Sequence, residues 1–177
     1  MGNKSKEILE VAIALFAKNG FHATSMRHIA KGAKIVQSSI YNHFKSKEAI
    51  LLEIVKLMKL EVVRTFDLEP DVTGKQAMEM YVDKVQTSIE TNPQFWRLIH
   101  SIRMSDEIMK VMETEMGDLQ NTVISKISNL LGNSRKKMDV FEIMLFWAAI
   151  DGIVAAYLMI DEYPLNQVLN KLVKKYY

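Results

Sequence analysis

The chain has 177 residues, of which 49% are apolar and 25% are charged, a composition typical of a globular protein with a sizeable core. It contains no cysteine, which excludes disulfides, thiolate metal sites and thiol catalysis. With only 3 Pro and 7 Gly it has few turn-forming residues, and residues with high helix propensity predominate. We therefore expect an all-α protein.

Charge is distributed unevenly, although the net charge is only +2. Residues 1–47 contain eight Lys or Arg and two Glu, a net charge of +6, whereas the rest of the chain has 15 basic and 19 acidic residues, a net charge of −4. A basic segment alone is most often a solvated surface. Joined to an acidic body, it indicates that the first part contacts a polyanion and the second does not.

The first 47 residues predict three short helices. Apolar residues recur at helical spacing from Ser5 to Asn19, and Asn19-Gly20 is a typical helix end. Thr24 or Ser25 is suited to cap a second helix, and residues 32–36 interrupt the pattern. A third helix follows, and it carries Ile40, Tyr41 and Phe44.

The rest of the chain predicts six longer helices, which gives about nine in total. The first begins at its cap Ser46 and connects the two parts, and residues 68–74 with Pro70 form a connection. A helix over residues 106–131 is either continuous or split near Gly117. The approximate predicted ranges are 46–67, 75–91, 93–104, 106–131, 137–161 and 164–177.

The stretch from Thr24 to Lys47 is typical of a helix-turn-helix, with two short helices and a tight connection. Its second helix presents polar and aromatic side chains that suit base edges and phosphates in a major groove: Gln37, Ser38, Ser39, Tyr41, Asn42 and His43. For Tyr41 the alternative is a place in the core. The stretch ends in Ile40-Tyr41-Asn42-His43-Phe44-Lys45-Ser46-Lys47-Glu48, and Ala14-Leu15-Phe16 and Gly20-Phe21 precede it.

These residues resemble the N-terminal domain of the TetR family of bacterial transcriptional regulators, whose pattern ends in Leu-Tyr-x-x-Phe-x-x-Lys-Glu. The resemblance covers about residues 6–52, and the body matches only in helix count and in the pair Asp151-Gly152. It implies that Thr24 binds a phosphate through its hydroxyl and backbone N–H, and that Tyr41 and Lys47 also bind the DNA backbone. It also implies that Gln37, Ser39 and Asn42 face bases. The full set of implied DNA-binding residues is Thr24, Arg27, Gln37, Ser38, Ser39, Tyr41, Asn42, His43, Lys45 and Lys47, with Lys31 as a further candidate.

Two residues depart from the family pattern. Lys34 stands where the family usually has a turn glycine, so either Gly32 takes the bend or Lys34 accepts a left-handed conformation at a cost of about 1–2 kcal/mol. Val36 stands where Ser or Thr often caps the recognition helix, and valine has no capping oxygen. The helix is therefore expected to begin at Gln37 or Ser38.

The body contains a candidate ligand pocket, for which we name Trp96, His100, Met104, Trp147 and Asp151. The preferred interpretation of Trp96 and His100 is an amphipathic helix with basic surface residues, and a Lys, Arg or helix terminus is an alternative partner for Asp151. The small residues Ala148, Ala149, Gly152, Ala155 and Ala156 favour close helix contact. We expect the last two helices, about residues 137–177, to form a homodimer interface; a purely intramolecular core is the alternative.

The predicted organisation is thus a helix-turn-helix domain over residues 1–47 and a helical ligand-binding and dimerisation domain over residues 48–177, in which helix 46–67 connects the two. We expect a cytoplasmic repressor, not an enzyme or a membrane protein, that binds a palindromic DNA operator as a dimer and is released by a small-molecule effector. No catalytic motif, metal-ligand set or cofactor motif is recognisable. The alternative is a helical enzyme or small-molecule-binding protein with an incidental basic segment.

Overall fold

The structure, a computed structural model, describes residues 2–69, 71–102, 106–132 and 139–177. Every regular element within these ranges is an α-helix, which confirms the predicted all-α class. The helices are α1 (Asn3–Asn19), α2 (Met26–Gly32), α3 (Gln37–Ile40), α4 (Lys47–Arg64), α5 (Gly74–Thr91), α6 (Pro93–Ile102), α7 (Asp106–Val111), α8 (Glu113–Leu131), α9 (Val140–Met159) and α10 (Leu165–Tyr176).

The described ranges thus contain ten helices where the sequence predicted about nine. The additional one arises because the predicted helix over residues 106–131 is interrupted at Met112, whose side chain is buried, rather than near Gly117. Gly117 lies inside α8, and a Cβ at that position would meet nothing within 4 Å. A glycine in an open part of a helix weakens it without ending it.

The helices form two compact units. Unit 1 contains Met1–Met58 and Gln94–Glu115, and unit 2 contains Lys59–Pro93 and Met116–Tyr177. The units therefore divide α4 at Met58 and alternate along the chain, whereas the functional division predicted from the sequence falls after residue 47. That functional division stays a prediction.

The core of unit 1 is built from helix faces at the spacing that the sequence shows. In α1 the buried side chains recur every three or four residues, and α2 contributes two that pack toward it. The start of α4 continues the same core. The buried residues of these three helices are Ile8, Leu9, Ala12 and Phe16, then Ile29 and Ala30, then Ile50, Leu51, Ile54 and Val55.

The core of unit 2 is centred on Tyr81 of α5, which is 1% exposed. The Tyr81 ring stacks on Phe66 with centroids 4.6 Å apart and is tilted against Phe146 of α9 at 6.0 Å. Phe146 in turn meets Tyr176 of α10 edge-on at 5.3 Å. Burial raises the pKa of Tyr81 far above its usual value, so its hydroxyl stays protonated. The hydroxyl also forms a hydrogen bond with the Thr65 side chain. Aromatic rings thus join α5, α9 and α10 in this unit.

Helix α9 is apolar on all sides, and only one side of it is used within unit 2. Asp139 caps it by accepting a 2.9 Å hydrogen bond from the Glu142 backbone N–H. The buried side chains are Ile143, Phe146, Ile150, Ile153, Val154 and Leu158. Among the described helices it alone has the length and composition of a membrane span, yet only 22% of its most apolar stretch is buried. A large apolar surface therefore remains uncovered in the single chain.

Candidate nucleic-acid interface

The turn between α1 and α2 is held by hydrogen bonds inside unit 1. Gly20, at a φ of 83°, ends α1 and donates its N–H to the Phe16 carbonyl at 2.9 Å. The Thr24 hydroxyl donates to the Gly20 carbonyl at 2.9 Å, and the Thr24 N–H donates to the Phe21 carbonyl at 3.3 Å. Thr24 is only 1% exposed. Both groups predicted to bind a phosphate are thus engaged within the protein, which favours a structural role for Thr24.

Lys47, at the start of α4, fastens the same turn. Its ammonium donates to the Phe21 carbonyl at 2.7 Å and lies 4.3 Å from the centre of the Phe21 ring. The Phe21 ring packs against Phe16 with centroids 5.2 Å apart. Lys47 therefore links two segments that are 26 residues apart in the sequence. This geometry gives Lys47 a structural role, and its predicted contact with DNA stays a prediction.

Helix α2 is capped by Ser25, one of the two residues that the sequence offered. The His28 backbone N–H donates to the Ser25 hydroxyl oxygen at 3.2 Å, and the Ser25 N–H donates to Nδ1 of His28 at 3.3 Å. This is a reciprocal capping box in which His replaces the usual Glu or Gln. The role of His28 was not predicted, although its position three residues after Ser25 was the available signal.

Helix α2 ends in a left-handed turn at Lys34, whose φ is 53°. The Ile35 N–H donates to the Ala30 carbonyl at 3.0 Å, and the Lys34 N–H donates to the Lys31 carbonyl at 3.2 Å. These two bonds define a Schellman motif, in which glycine usually takes the left-handed position. Of the two possibilities that the sequence left open, Lys34 accepts the strain.

Gly32 has a different function, which is to bring α2 close to α1. A Cβ at position 32 would lie 2.6 Å from Cγ1 of Val11, a distance that real side chains do not adopt. Valine on a helix has one strongly preferred rotamer, so it moves aside only at a cost. The absence of a side chain at Gly32 therefore fixes the spacing of the first two helices.

Helix α3 begins at Gln37, which is one of the two predicted starts, and Val36 before it makes no side-chain cap. The regular helix ends at Ile40, but the His43 and Phe44 N–H groups both donate to the Ile40 carbonyl, at 3.0 and 2.9 Å. The chain thus continues to turn as far as Phe44. Ile40 and Phe44 are buried and fix this segment to the core of unit 1.

Most predicted DNA-binding side chains lie on the surface of unit 1. Val36 and Tyr41 are 69% and 46% exposed, so Tyr41 is not the core aromatic that was its alternative. Ser39 and Lys47 are half-buried. The exposed members of the predicted set are Arg27, Gln37, Ser38, Tyr41, Asn42, His43 and Lys45, and the further candidate Lys31 is exposed too.

Two neighbours modify this exposed surface. Nδ1 of His43 lies 3.2 Å from the Ser5 hydroxyl of α1, so one ring nitrogen is already engaged. Glu48 is the acid in this part of α4, where Ser46 caps the helix by accepting the Ala49 N–H at 3.2 Å. The backbone N–H and the Ser46 hydroxyl lower the pKa of Glu48, so it is negatively charged at neutral pH. Glu48 therefore carries a negative charge next to Lys47 at the start of α4.

The residues predicted for a ligand pocket fall on two helices in different units. Trp96 and His100 are half-buried on α6, in unit 1, and Trp147 and Asp151 are half-buried on α9, in unit 2. The core side of α6 consists of Phe95, Leu98 and Ile99. Trp96, His100 and Asp151 already take part in interactions within the protein. Met104 lies outside the described residues, and the pocket remains a prediction.

Two short helices, a four-residue connection and an exposed polar second helix beside basic residues define a helix-turn-helix domain. Residues 8–54 match the family of bacterial regulatory proteins called the tetR family. This part of the chain is therefore a helix-turn-helix domain of the TetR family.

Individual relatives agree with this assignment. An HTH-type transcriptional regulator of Bacillus subtilis, YerO, is 34% identical over 91 residues, which cover 51% of this chain and 32% of the relative. The HTH-type transcriptional repressor KstR2 of Mycobacterium tuberculosis is 43% identical over 56 residues, which cover 32% of this chain and 28% of the relative. The matched segment thus spans less than a third of the length of these relatives.

Solved structures extend the likeness to the fold of the whole chain. The fatty acid degradation regulator FadR from Bacillus halodurans has a TM-score of 0.82 at 18% identity, covering 98% of this chain and 94% of that one. FadR from Bacillus subtilis, solved in complex with stearoyl-CoA, has a TM-score of 0.78 at 22% identity, covering 96% and 95%. The helical body therefore has the fold of these regulators.

Proposed function

We propose that this chain is a transcriptional repressor that binds a palindromic DNA operator as a homodimer and leaves it when a small molecule binds the helical body. The observation that carries the proposal is the exposed polar surface of residues 37–45 on a TetR-family helix-turn-helix domain. A protein of this kind acts in the cytoplasm and performs no chemical reaction. The regulators among its relatives support both points.

The proposed contacts with DNA divide into two groups. Gln37, Ser38 and Asn42 are exposed, carry hydrogen-bonding groups and belong to the recognition segment, so they are our candidates for reading bases. Tyr41, Lys45 and Arg27 are the candidates for phosphate contacts, which give affinity without sequence preference. Ser39 and His43 lie beside them and complete the surface. Thr24 and Lys47 support this surface from within.

The proposed dimer interface is the uncovered side of α9. Its residues follow one another at steps of one, three, four or seven positions, which places them on one face of the helix. The middle of this face is small, so a second copy of α9 can approach closely there. Its members are Phe141, Met144, Leu145, Ala148, Gly152 and Met159. A symmetric pair would use the same residues on both chains.

The contribution of α10 to this interface is smaller than that of α9. The outer side of α10 is polar and basic, with exposed Asn166, Gln167, Asn170, Lys171, Lys174 and Lys175. Its apolar side faces the core of unit 2 through Leu165, Leu169 and Leu172. We therefore place the centre of the dimer interface on α9 and only its edge on α10.

We propose that a small-molecule effector binds the helical body, by analogy with the Bacillus subtilis FadR structure, which holds stearoyl-CoA. A ligand that binds better to the DNA-free form than to the DNA-bound form lowers the affinity for DNA, and DNA lowers the affinity for the ligand by the same factor. In a dimer, the ligand would act by changing the separation of two recognition helices that must enter successive major grooves, roughly 34–36 Å apart.

DNA binding is tested by measuring the affinity of the chain for duplexes tiled over the region upstream of its own gene. We expect one preferred duplex and an affinity that falls steeply with salt. The double variant Gln37→Ala with Tyr41→Ala is expected to lose the preference, while Gln120→Ala on the exposed side of α8 keeps it. Equal binding to all duplexes, or wild-type preference in the double variant, would contradict the proposal and favour a helical binding protein or enzyme.

The dimer is tested by sedimentation velocity. Wild type is expected to sediment with twice the mass of the 20.3 kDa chain. Leu145→Lys with Ala148→Glu places charges on the uncovered side of α9 and is expected to give a folded monomer, whereas Gln120→Glu on α8 stays a dimer. If the charged variant remains a dimer, the interface lies elsewhere. If wild-type protein is soluble only in lipid or detergent, α9 contacts a membrane instead of a second copy.

A further inference from the structure

A cavity of about 240 Å³ lies in unit 2, at the segment that follows α4. One wall is this segment and the first turns of α5, and the other wall is the last two turns of α8. The lining residues are Phe66, Leu68, Val72, Thr73, Gly74, Ala77, Lys126, Asn129 and Leu130. None of the residues that the sequence predicted for a ligand pocket is among them.

The chemistry of this cavity is that of a site for an amphiphile. Phe66, Ala77 and Leu130 are buried apolar residues that form its floor. The one charged side chain in the lining is Lys126, which is half-buried and forms no ion pair with any residue in the described part of the chain. The Lys126 ammonium is a strong hydrogen-bond donor with no acceptor assigned to it in the described part of the chain.

The rim of the cavity is held in place by Tyr177. Its hydroxyl donates to the Leu130 carbonyl at 3.1 Å, and burial raises its pKa, so it keeps the proton that it donates. The Tyr177 ring also lies against Gly74, where a Cβ would be 3.8 Å from it. The two walls are thus joined by a hydrogen bond and a ring contact, and the cavity is formed before any ligand arrives.

A second groove in unit 2 has different chemistry and serves as a contrast. It is larger, about 290 Å³, but is lined by polar and charged side chains of α4 and α5, including Glu61, Arg64 and Lys84. Arg64 already donates to Glu61 at 2.6 Å. The Glu61 carboxylate lines this groove and would repel an anion, whereas no acidic side chain lines the first cavity, so we assign no anionic ligand to the groove.

We propose that the cavity at Lys126 binds a small organic anion with a short apolar tail. The anionic head would accept hydrogen bonds from Lys126 and from the Asn129 amide or Thr73 hydroxyl, and the tail would lie over Phe66. The cavity is smaller than the roughly 300–1,000 Å³ of sites for drug-sized ligands, which limits the tail to a short chain. The acids Asp67, Glu69 and Asp71 lie in the same connection but do not line the cavity.

The position of the cavity suggests how its occupancy is sensed, an extension that rests on the proposed function. Phe66, Leu68 and Val72 belong to the segment directly after α4, and α4 begins at Lys47 in the helix-turn-helix domain. A ligand in the cavity would contact this segment and could thereby shift the position of the C-terminal end of α4. Ligand binding itself does not depend on that extension and is measured separately.

The experiment measures binding of octanoate, octyl phosphate and the neutral analogue octanol to the full chain by isothermal titration calorimetry. Saturable binding of one or both anions is expected, about ten-fold or more tighter than octanol, because the neutral alcohol cannot form an ion pair with the Lys126 ammonium. Lys126→Met should remove this difference. Lys84→Met, which changes a half-buried lysine in the other groove, should preserve it.

A second variant tests the location without changing charge. Val72→Trp fills the cavity from an exposed connection and should abolish binding while the thermal midpoint stays near that of wild type. The proposal fails if neither anion binds saturably, if octanol binds as tightly, or if Lys126→Met binds like wild type. If an anion binds as expected but adding it does not change the affinity of the protein for its duplex, the site stands and only its link to DNA release is wrong.

Discussion

Replacing Lys47 with Met tests whether this lysine supports the helix-turn-helix domain from within. The substitution keeps an apolar stem but removes the hydrogen bond to the Phe21 carbonyl at 2.7 Å and the ammonium 4.3 Å from its ring. A hydrogen bond from a charged group contributes about 1.5–3 kcal/mol, and a cation–π contact at an exposed site about 0.5–1 kcal/mol. Because Lys47 is only half-buried, we reduce the combined range of about 2–4 kcal/mol for solvent screening to about 1.5–2.5 kcal/mol.

For a chain of this length each kcal/mol shifts the thermal midpoint by about 2–4 °C, so Lys47→Met should lower it by roughly 3–10 °C in calorimetry. The matched control is Lys45→Met, which removes an exposed lysine two residues earlier and should change stability by less than about 0.5 kcal/mol. In DNA binding Lys45→Met should have the larger effect of the two variants. It should lower the salt slope by about 0.9 for each phosphate that the variant no longer neutralises. A Lys47→Met variant with wild-type stability and a reduced salt slope would refute the structural role of Lys47.

Three further predictions concern the same domain. Lys34→Gly should raise the free energy of unfolding in urea by about 0.5–1 kcal/mol, since glycine relieves a left-handed conformation but adds freedom to the unfolded chain; a loss of stability would contradict the strain. Gly32→Ala should lower it by about 1 kcal/mol, because the new Cβ meets Val11, and adding Val11→Ala should show favourable coupling between the two sites rather than simple additivity. Glu48→Gln should cost about 0.5 kcal/mol at pH 7, and this difference should vanish in acid. The sign follows because the folded state lowers the pKa of Glu48. The stability that its charge contributes is therefore present above the ordinary value of 4.5 and is lost as pH falls through the folded value. A constant difference between the two proteins down to pH 3 would be the contrary result.

The features that the sequence predicted well are those that depend on neighbours in the chain. The all-α class, the end of α1 at Gly20 and the cap of α4 at Ser46 all follow from residue type and helical spacing within one or two turns. The helix-turn-helix follows for the same reason, because its two helices and their connection occupy one short stretch. The exposed recognition segment is a direct consequence, since its buried residues, Ile40 and Phe44, were recognisable as apolar.

The roles that could not be predicted depend on contacts between distant residues. The Lys47 ammonium meets a carbonyl that lies 26 residues earlier, and the Tyr177 hydroxyl meets one that lies 47 residues earlier. Thr24 was expected to face DNA because threonine suits a helix start, but a hydroxyl that can cap can also donate to the preceding turn. The cavity at Lys126 needs the connection after α4 beside α8, and helical spacing contains no information about that arrangement.

The close approach of α1 and α2 has a consequence for how this domain can diverge. Because position 32 has no room for a Cβ while Val11 is opposite, neither position is free to change alone toward a larger residue. A descendant that acquires alanine or serine at position 32 is expected to acquire a smaller residue at position 11. In an alignment of near relatives, the two columns should therefore vary together, although neither side chain has a proposed contact with DNA or with a ligand.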